Sequence, residues 1–204
     1  MNIENITTLE LYSTVIWKSK YPQFEENKEL FLSEMGSYLD KTSFKSKLKS
    51  NINGYQSETD IHHLEKLNPL FDYICKMSMY SFHGLGIVDY HPAISGSWLN
   101  VNHNRGCINL QHCHGGVLSG VFYLKVPENS GKLVFANQGA NELWEGNDYI
   151  KDYNKLTTQL SFIEPFEGDL ILFPSYLPHS VLPNEHDDER ISISFNVSAM
   201  YVDE

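Results

Sequence analysis

The pattern of apolar and polar residues changes at about residue 92 of this chain. From residue 23 to 39, apolar residues recur every three or four positions with charged residues between them, which predicts an amphipathic helix. The same spacing from residue 64 to about 82 predicts a second helix, which Gly84 and Gly86 should end. The first part of the chain is therefore expected to be largely helical.

The remaining segments are shorter. Residues 12–17 (YSTVIW) predict an outer strand, and the polar residues 40–58 predict a loop that packs across one end of the domain. After residue 92, alternating segments are separated by Gly, Pro and Asn, which is typical of an antiparallel sandwich or barrel. Eight strands are expected there, near residues 97–102, 107–113, 118–126, 131–136, 159–163, 169–173, 179–182 and 190–199.

Eight strands suit a mainly β fold, a double-sheet jelly roll with helices on its flank. We expect one domain over residues 1–204, in which residues 1–92 support a jelly-roll core at 93–204. The acidic and aromatic interval 137–157 is longer than an ordinary hairpin loop, so it is predicted to be a lid or a decorated loop.

Composition narrows the range of partners. The chain has 15 Lys+Arg against 26 Asp+Glu, a formal net charge of -11, and no run of consecutive basic residues, so nucleic acid is not expected. No stretch approaches the roughly 20 apolar residues of a membrane-spanning helix, and the N-terminus has no signal-sequence pattern, so no membrane partner is expected. A homodimer is left open.

The cysteines indicate the compartment. Cys75, Cys107 and Cys113 are few, odd in number and without CxxC spacing, which favours a reducing environment, and a cytoplasmic location is expected. Cys107 and Cys113 are interpreted as small packing residues.

Two histidines in the segment QHCH are the first candidates for chemistry. In an extended strand His112 and His114 project on one face and Cys113 on the other. Gly115 and Gly116 then break the strand, so the histidines should lie at its end, where a ligand can reach them. Two imidazoles on one face can share a metal; an exposed or hydrogen-bonded pair is the alternative.

A third histidine and a cation follow near the C-terminus. His179 comes after the buried run GDLILFP, and the last strand, RISISFNV, begins at Arg190. Its odd-numbered positions are apolar, whereas Arg190, Ser192, Ser194 and Asn196 form a polar face. An anionic cosubstrate inside the barrel would explain that face, because Arg190 can pair with a carboxylate and Ser192 can donate to it.

Two further sets of residues have less support as parts of a functional site. Trp98, Asn100 and Asn102 form an alternating face that either lines the pocket or is satisfied by water. The remaining histidines lack comparable neighbours in the sequence and are interpreted as surface or structural groups: His62, His63, His83, His91, His103 and His186.

At this point several segments resemble the Fe(II)- and 2-oxoglutarate-dependent oxygenases, and within them a small uncharacterised group of bacterial and phage proteins. The resemblance implies a double-stranded β-helix, the jelly roll already expected. The segments that carry it are SNINGYQS (50–57), WLNVN (98–102), QHCH (111–114), SGVFYLKVPENSGKLVF (119–135), GDLILFPSYLPHSVLPN (168–184) and ERISISFNV (189–197).

The resemblance also implies a metal site. The family's HxD/E…H motif falls on His112, His114 and His179, which would be both the metal ligands and the catalytic centre. His114 stands where the family usually has a carboxylate, so the site would consist of three neutral imidazoles. A different register would put the first ligand at His114 and Gly116 in the carboxylate's place.

The implied cofactors are Fe(II), 2-oxoglutarate as cosubstrate, and dioxygen. Arg190, eleven positions after His179, matches the family's cosubstrate arginine, and Ser192 and Tyr123 would help to hold the same carboxylate. The implied activity is that of a dioxygenase that hydroxylates a small molecule or a peptide.

Two other functions remain open from the sequence. One is a cupin-like module that binds Zn(II) or Ni(II) without oxygenase activity, and the other is a three-histidine iron dioxygenase that does not use 2-oxoglutarate. Arg190 distinguishes both from a 2-oxoglutarate-dependent oxygenase, since neither needs a buried guanidinium beside the metal. Substrate choice is expected to come from loop 137–157 and from the segment around Tyr55.

Overall fold

The computed structural model of the protein describes residues 13–42, 46, 49–137, 154 and 157–201. Within them the chain forms two α-helices, α1 (Phe24–Lys41) and α2 (Asn68–Gly84). The strands are β1 (Trp17–Lys20), β2 (Asn51–Ile52), β3 (Tyr55–Gln56), β4 (Tyr90–Asn102), β5 (Ile108–His112), β6 (Leu118–Lys125), β7 (Leu133–Ala136), β8 (Leu160–Ile163), β9 (Asp169–Pro174), β10 (His179–Val181) and β11 (Arg190–Tyr201).

Both predicted helices are confirmed. On α1 the buried residues Phe24, Phe31, Met35 and Tyr38 follow the helical spacing seen in the sequence. On α2 a proline in the first turn sets the start, so α2 begins at Asn68, after two short 3₁₀ turns, and not at residue 64. Each helix therefore presents one apolar side to the rest of the molecule.

The strands form two antiparallel sheets. The larger has the order β1-β9-β6-β11-β4-β3 and the smaller the order β2-β5-β10-β7-β8. All eight strands predicted after residue 92 are present, although β4 begins earlier, at Tyr90. The first three strands join this core, because β1 pairs with β9, β2 with β5 and β3 with β4.

Strict alternation along the strands produces two apolar layers. On β9, Ile171 and Phe173 belong to the cluster between the sheets, whereas Leu170 and Leu172 belong to the cluster under the helices. Phe122 of β6 joins the helices to the large sheet, with its ring centroid 6.0 Å from that of Phe24. The large sheet is thus covered by helices on one face and by the small sheet on the other.

Two predictions for the first part of the chain were wrong in position. The outer strand begins at Trp17 and not at residue 12; Tyr12 itself lies outside the described residues. Backbone pairing with β9 and the ion pair between Lys18 and Asp169 fix this strand, and neither follows from an apolar run.

Residues 40–58 are also not simply a loop. Helix α1 continues to Lys41, and β2 and β3 pair with β5 and β4 through their backbones. These strands are two residues long and mostly polar, so they give no periodic signal in the sequence.

The long interval predicted as a lid lies mostly outside the described residues, which omit 138–153, 155 and 156. Its role therefore stays a prediction. In the described part of the chain, no helix is long and apolar enough to cross a membrane.

Candidate metal and cosubstrate site

Three histidines meet at one end of the small sheet. His112 ends β5 and His179 begins β10, and the two residues are direct partners in the pairing of these strands. The backbone N–H of His114, just beyond β5, donates to the carbonyl oxygen of Ser175 at 2.9 Å, which turns this residue back toward the other two. One ligand atom from each histidine lies within 4.8 Å of the others. The residues that the sequence singled out are therefore brought together.

Backbone carbonyls select the tautomer of two of these rings. Nδ1 of His112 lies 2.6 Å from the carbonyl oxygen of Leu110, and Nδ1 of His179 lies 2.9 Å from that of Leu177. A carbonyl oxygen only accepts hydrogen bonds, so each Nδ1 carries the proton and each Nε2 keeps its lone pair. This is the state in which an imidazole can bind a metal.

The surroundings keep the imidazoles uncharged. Burial, together with the neighbouring His112 and His114, lowers the pKa of His179 to about 3. Burial, followed by the charges of His112 and Lys49, lowers the pKa of His114 to about 4. Burial also lowers the pKa of His112. At neutral pH the three rings are therefore neutral donors, which fits a divalent transition metal.

Aromatic rings hold two of the histidines in place. The Trp98 ring lies 5.4 Å from that of His114, and the Phe173 ring lies 4.6 Å from that of His179, measured between centroids. The site therefore has apolar walls on two sides, while the ligand atoms converge.

Arg190 is the second feature of the site. It is 2% exposed, and its Nη1 donates to the carbonyl oxygens of Ser130 at 3.0 Å and Gly131 at 3.1 Å. Its Nε is buried and has no hydrogen-bond partner in the part of the chain that the structure describes. No acidic side chain there forms an ion pair with it either. A buried cation in this situation calls for an anionic ligand.

Two hydroxyl groups accompany the arginine. Ser192 follows Arg190 by two positions on β11, so both side chains project on the same face. Tyr123 of β6 is the direct partner of Ser192 in the strand pairing and is 2% exposed. Burial raises the pKa of Tyr123 to about 12, so its hydroxyl stays protonated and can donate.

One cavity of about 480 Å³ contains all of these groups. The three histidines, Arg190, Ser192 and Tyr123 line it, and so do Ser194 and Asn196, which confirms the polar inner face predicted for β11. The candidate metal ligands and the candidate anion-binding groups therefore share one cavity.

Some of the predicted lining was wrong. Trp98 and Asn100 line the cavity but Asn102 does not, because it lies farther along β4, where its carbonyl accepts from Asn184. Cys107 is buried as expected, but Cys113 is exposed at the cavity and is not a packing residue, since β5 ends at His112 and the next residues leave the sheet.

The segment around Tyr55 reaches the cavity as predicted, although Tyr55 itself does not. Tyr55 is buried away from the cavity, and Gln56 and Thr59 line it instead. None of the six other histidines is among the lining residues that the structure describes.

Several lining residues were missed by the sequence reasoning. Ser119 lies on the same face of β6 as Tyr123, so a period of two along that strand could have found it. Lys49 and Ser50 lie in a segment without periodicity, and no signal in the sequence points to them.

Comparison with known proteins decides the family. Residues 96–196 match the family model described as "Putative 2OG-Fe(II) oxygenase", and this match contains the three histidines, Arg190, Ser192 and Tyr123. The chain belongs to the 2OG-Fe(II) oxygenase family. It is thus an oxidoreductase of the dioxygenase type, and the cofactors predicted for it, Fe(II), 2-oxoglutarate and dioxygen, are confirmed at the level of the family.

Solved structures of this kind share the fold. A prolyl-4-hydroxylase from Pseudomonas putida is 16% identical with a TM-score of 0.62, and the match covers 90% of this chain and 93% of that one. A prolyl hydroxylase from Trichoplax adhaerens, in complex with a peptide fragment of hypoxia inducible factor, is 14% identical with a TM-score of 0.62 and coverages of 89% and 83%.

The non-heme alpha ketoglutarate dependent epimerase SnoN from nogalamycin biosynthesis is 12% identical with a TM-score of 0.67, and the match covers 93% of this chain and 79% of that one. These likenesses confirm the predicted jelly roll. A search of curated protein sequences finds no match for this 2OG-Fe(II) oxygenase.

Proposed function

We propose that His112, His114 and His179 bind Fe(II) in this oxygenase and that Arg190, Ser192 and Tyr123 hold 2-oxoglutarate beside it. The observation that carries the proposal is the buried guanidinium of Arg190. It lies in the same cavity as three neutral histidines, and no acidic partner is found for it among the described residues. A dicarboxylate that reaches from the metal to Arg190 would satisfy both ends of this cavity.

The side chains have distinct tasks in this proposal. The Nδ1–H groups of His112 and His179 stay on backbone carbonyls, so the rings are oriented before the metal arrives. Trp98 and Phe173 limit the access of water to the ligand atoms. When bound, Fe(II) with 2-oxoglutarate and dioxygen supplies the oxidation of a substrate C–H bond, while the cosubstrate becomes succinate and carbon dioxide.

The anion-binding groups hold the other end of the cosubstrate. Arg190 pairs with the carboxylate of 2-oxoglutarate remote from the metal, and the hydroxyls of Ser192 and Tyr123 donate to the same group. Since Tyr123 keeps its proton, it adds a donor without adding a negative charge.

The substrate is proposed to be a small molecule or a peptide, and hydroxylation the outcome. The structural neighbours include a complex with a peptide fragment and an enzyme of nogalamycin biosynthesis, which supports this range. A cytoplasmic location is proposed as well, because the three cysteines are free.

Three imidazoles also suit Zn(II), so a metal-binding module remains the second candidate. That function, like a dioxygenase without 2-oxoglutarate, leaves Arg190 without a counter-ion. The register that uses Gly116 is less favoured, because Gly116 does not line the cavity and His112 would have no role.

Anaerobic titration tests the proposal. Metal-free protein is titrated with Fe(II) and then with 2-oxoglutarate, and the weak visible charge-transfer band of a chelated 2-oxo acid is expected. His179→Ala should lose the band together with most of its iron, whereas His91→Ala, an exposed histidine on β4, should keep both. If iron binds to the unchanged protein but no band forms, the assignment of 2-oxoglutarate is wrong.

A further inference from the structure

A second cation lies where the cavity meets solvent. Lys49 lines the cavity and is itself exposed. No residue that the structure describes forms an ion pair with it, in contrast to Lys18, Lys66 and Lys125, each of which has a carboxylate within 3 Å. The ammonium group of Lys49 is therefore available to a ligand.

The backbone of Lys49 is tied to the strand that carries a metal-binding histidine. Its N–H donates to Oδ1 of Asn51 at 3.1 Å, and Nδ2 of Asn51 donates to the carbonyl oxygen of Gly54 at 2.9 Å. One residue on, the carbonyl of Ser50 accepts from the N–H of Leu110 at 2.8 Å, two positions before His112. Lys49 is thus held beside β5, and its charge reaches His114, whose pKa it helps to lower.

The described lining of this cavity differs in charge from the rest of the protein. The chain has 26 Asp+Glu residues and a net charge of -11, yet the described lining contains no Asp and no Glu. The lining also offers amides and hydroxyls that can donate to an anion, from Gln56, Gln111 and Thr59. The cavity is therefore electropositive within an acidic protein.

The balance of charges in the cavity determines which substrate charge is favoured. Because the three histidines are neutral, the two positive charges of Fe(II) would be balanced by the two negative charges of 2-oxoglutarate. Arg190 and Lys49 then remain as two positive charges without an acidic group in the described lining. A substrate that brings a negative charge is favoured in such an enclosed site over its neutral analogue.

We propose that the primary substrate is an anionic small molecule, carrying a carboxylate or a phosphate, and that Lys49 binds this group at the opening of the cavity. The inference rests on the proposed function, since 2-oxoglutarate must occupy the inner part. A volume of about 480 Å³ for both molecules sets a small size for the part of the substrate that enters.

Ligand-detected NMR on the protein loaded with Zn(II), as a redox-inert metal, and 2-oxoglutarate tests this inference. The probes are fragment pairs on shared skeletons, either a carboxylate with its primary amide or a phosphate ester with its alcohol. Charged members should bind about threefold more tightly than their neutral partners, the scale of one exposed ion pair. Comparing the two sets of pairs identifies which anion is preferred.

Variants assign the effect to the lysine. Lys49→Gln should remove the preference and Lys49→Arg should retain it. Lys76→Gln is the matched control, because it makes the same change of net charge at an exposed position on α2 away from the cavity. A preference that survives in Lys49→Gln, equal binding within the pairs, or binding of neutral fragments alone would each overturn the inference.

The two proposals can fail separately. Binding of 2-oxoglutarate to the same Zn(II) protein is measured by calorimetry before the probes are added. If 2-oxoglutarate does not bind, the proposed function fails and the inference fails with it. If 2-oxoglutarate binds and the fragment pairs show no difference, the inference alone is overturned.

Discussion

Arg190 combines a full charge with almost complete burial. Two backbone carbonyls accept from its Nη1, but a neutral acceptor compensates the desolvation of a guanidinium only in part. The guanidinium is therefore in place for an anion before one binds. Its incompletely compensated desolvation lowers the stability of the fold.

The first prediction concerns this residue. Arg190→Lys keeps the charge but loses the planar pair of donors, so the dissociation constant for 2-oxoglutarate should rise about ten- to a hundredfold, the value of one or two charge-assisted hydrogen bonds. Iron affinity should stay nearly unchanged. Calorimetry measures iron binding on the metal-free protein and 2-oxoglutarate binding on the metal-loaded protein. Arg105→Lys is the control, because Arg105 is exposed and forms an ion pair with Asp187. Equal affinity for 2-oxoglutarate in the Arg190 variant would remove this residue from the site.

The second prediction is a pH dependence of the metal-free protein. His179 has an ordinary pKa of 6.5 when unfolded and a pKa of about 3 when folded, so below pH 6.5 the unfolded state binds more protons. The stability contributed by the neutral ring is complete above pH 6.5 and declines as the pH falls toward 3. At pH 5 the lowered pKa of this single group should reduce the free energy of unfolding by about 2 kcal/mol.

Urea unfolding at pH 7.5 and pH 5 measures this loss. His179→Gln, which cannot titrate, should lose correspondingly less stability between the two values. If the variant and the unchanged protein decline equally, protonation of His179 is not the cause.

The residues of the site could be predicted from the sequence to different degrees. Arg190 and Ser192 follow from the period of two within a strand, which fixes their common face. The grouping of His112, His114 and His179 follows from the family resemblance, since His114 lies beyond β5 and a strand period does not place it. Lys49 could not be predicted, because its backbone is held by the side chain of Asn51 in a segment without regular structure.

Among the elements, the turn between β5 and β6 has a strict backbone requirement beside the site. Gly116 has a φ of +100°, and a Cβ atom there would lie 3.0 Å from the carbonyl oxygen of Val197. Gly115, its neighbour, has no atom within 4 Å of such a Cβ. Two adjacent glycines, both just after His114, therefore differ sharply in what they tolerate.

The third prediction uses this pair. Gly116→Ala should lower the free energy of unfolding by about 1 to 3 kcal/mol, through the strained φ and the close carbonyl. It should also weaken iron binding, since the turn positions His114. Gly115→Ala should change stability by no more than about 0.5 kcal/mol. Thermal unfolding and iron titration compare the two variants, and similar behaviour would show that the turn does not depend on Gly116.

The elements differ in how well the sequence predicts them. Most strands from β4 onward alternate clearly because one face lies in an apolar layer, as on β4, β6 and β11. Strands β1, β2 and β3 are edge or two-residue strands held by backbone pairing, and pairing between distant segments leaves no local pattern.

In the molecule as a whole, the jelly roll is completed by the part of the chain before it. The helix-facing side of the large sheet is apolar, with Leu118, Phe122 and Ile193 fully buried under α1 and α2. The small sheet also takes β2 from this region. Removing residues 1–89 would expose one layer of the sandwich and shorten the other.

The fourth prediction follows. A fragment of residues 90–204, which keeps every strand from β4 onward, should lack cooperative thermal unfolding and should bind a hydrophobic dye, because about 25 cal/mol is lost for each Å² of apolar surface returned to water. The full chain should unfold in one transition. Circular dichroism and dye fluorescence make the comparison, and a cooperatively folded fragment would show that the jelly roll is independent of the helices.

The pairing of His112 with His179 has a further consequence. A metal held by both would connect neighbouring strands side chain to side chain, in parallel with their backbone hydrogen bonds. Opening this end of the small sheet would then require breaking coordination bonds as well, so amide hydrogen exchange in β5 and β10 should become slower once metal is loaded. The iron supply of the cell would thereby set the rate at which one end of the protein opens to solvent and to proteases.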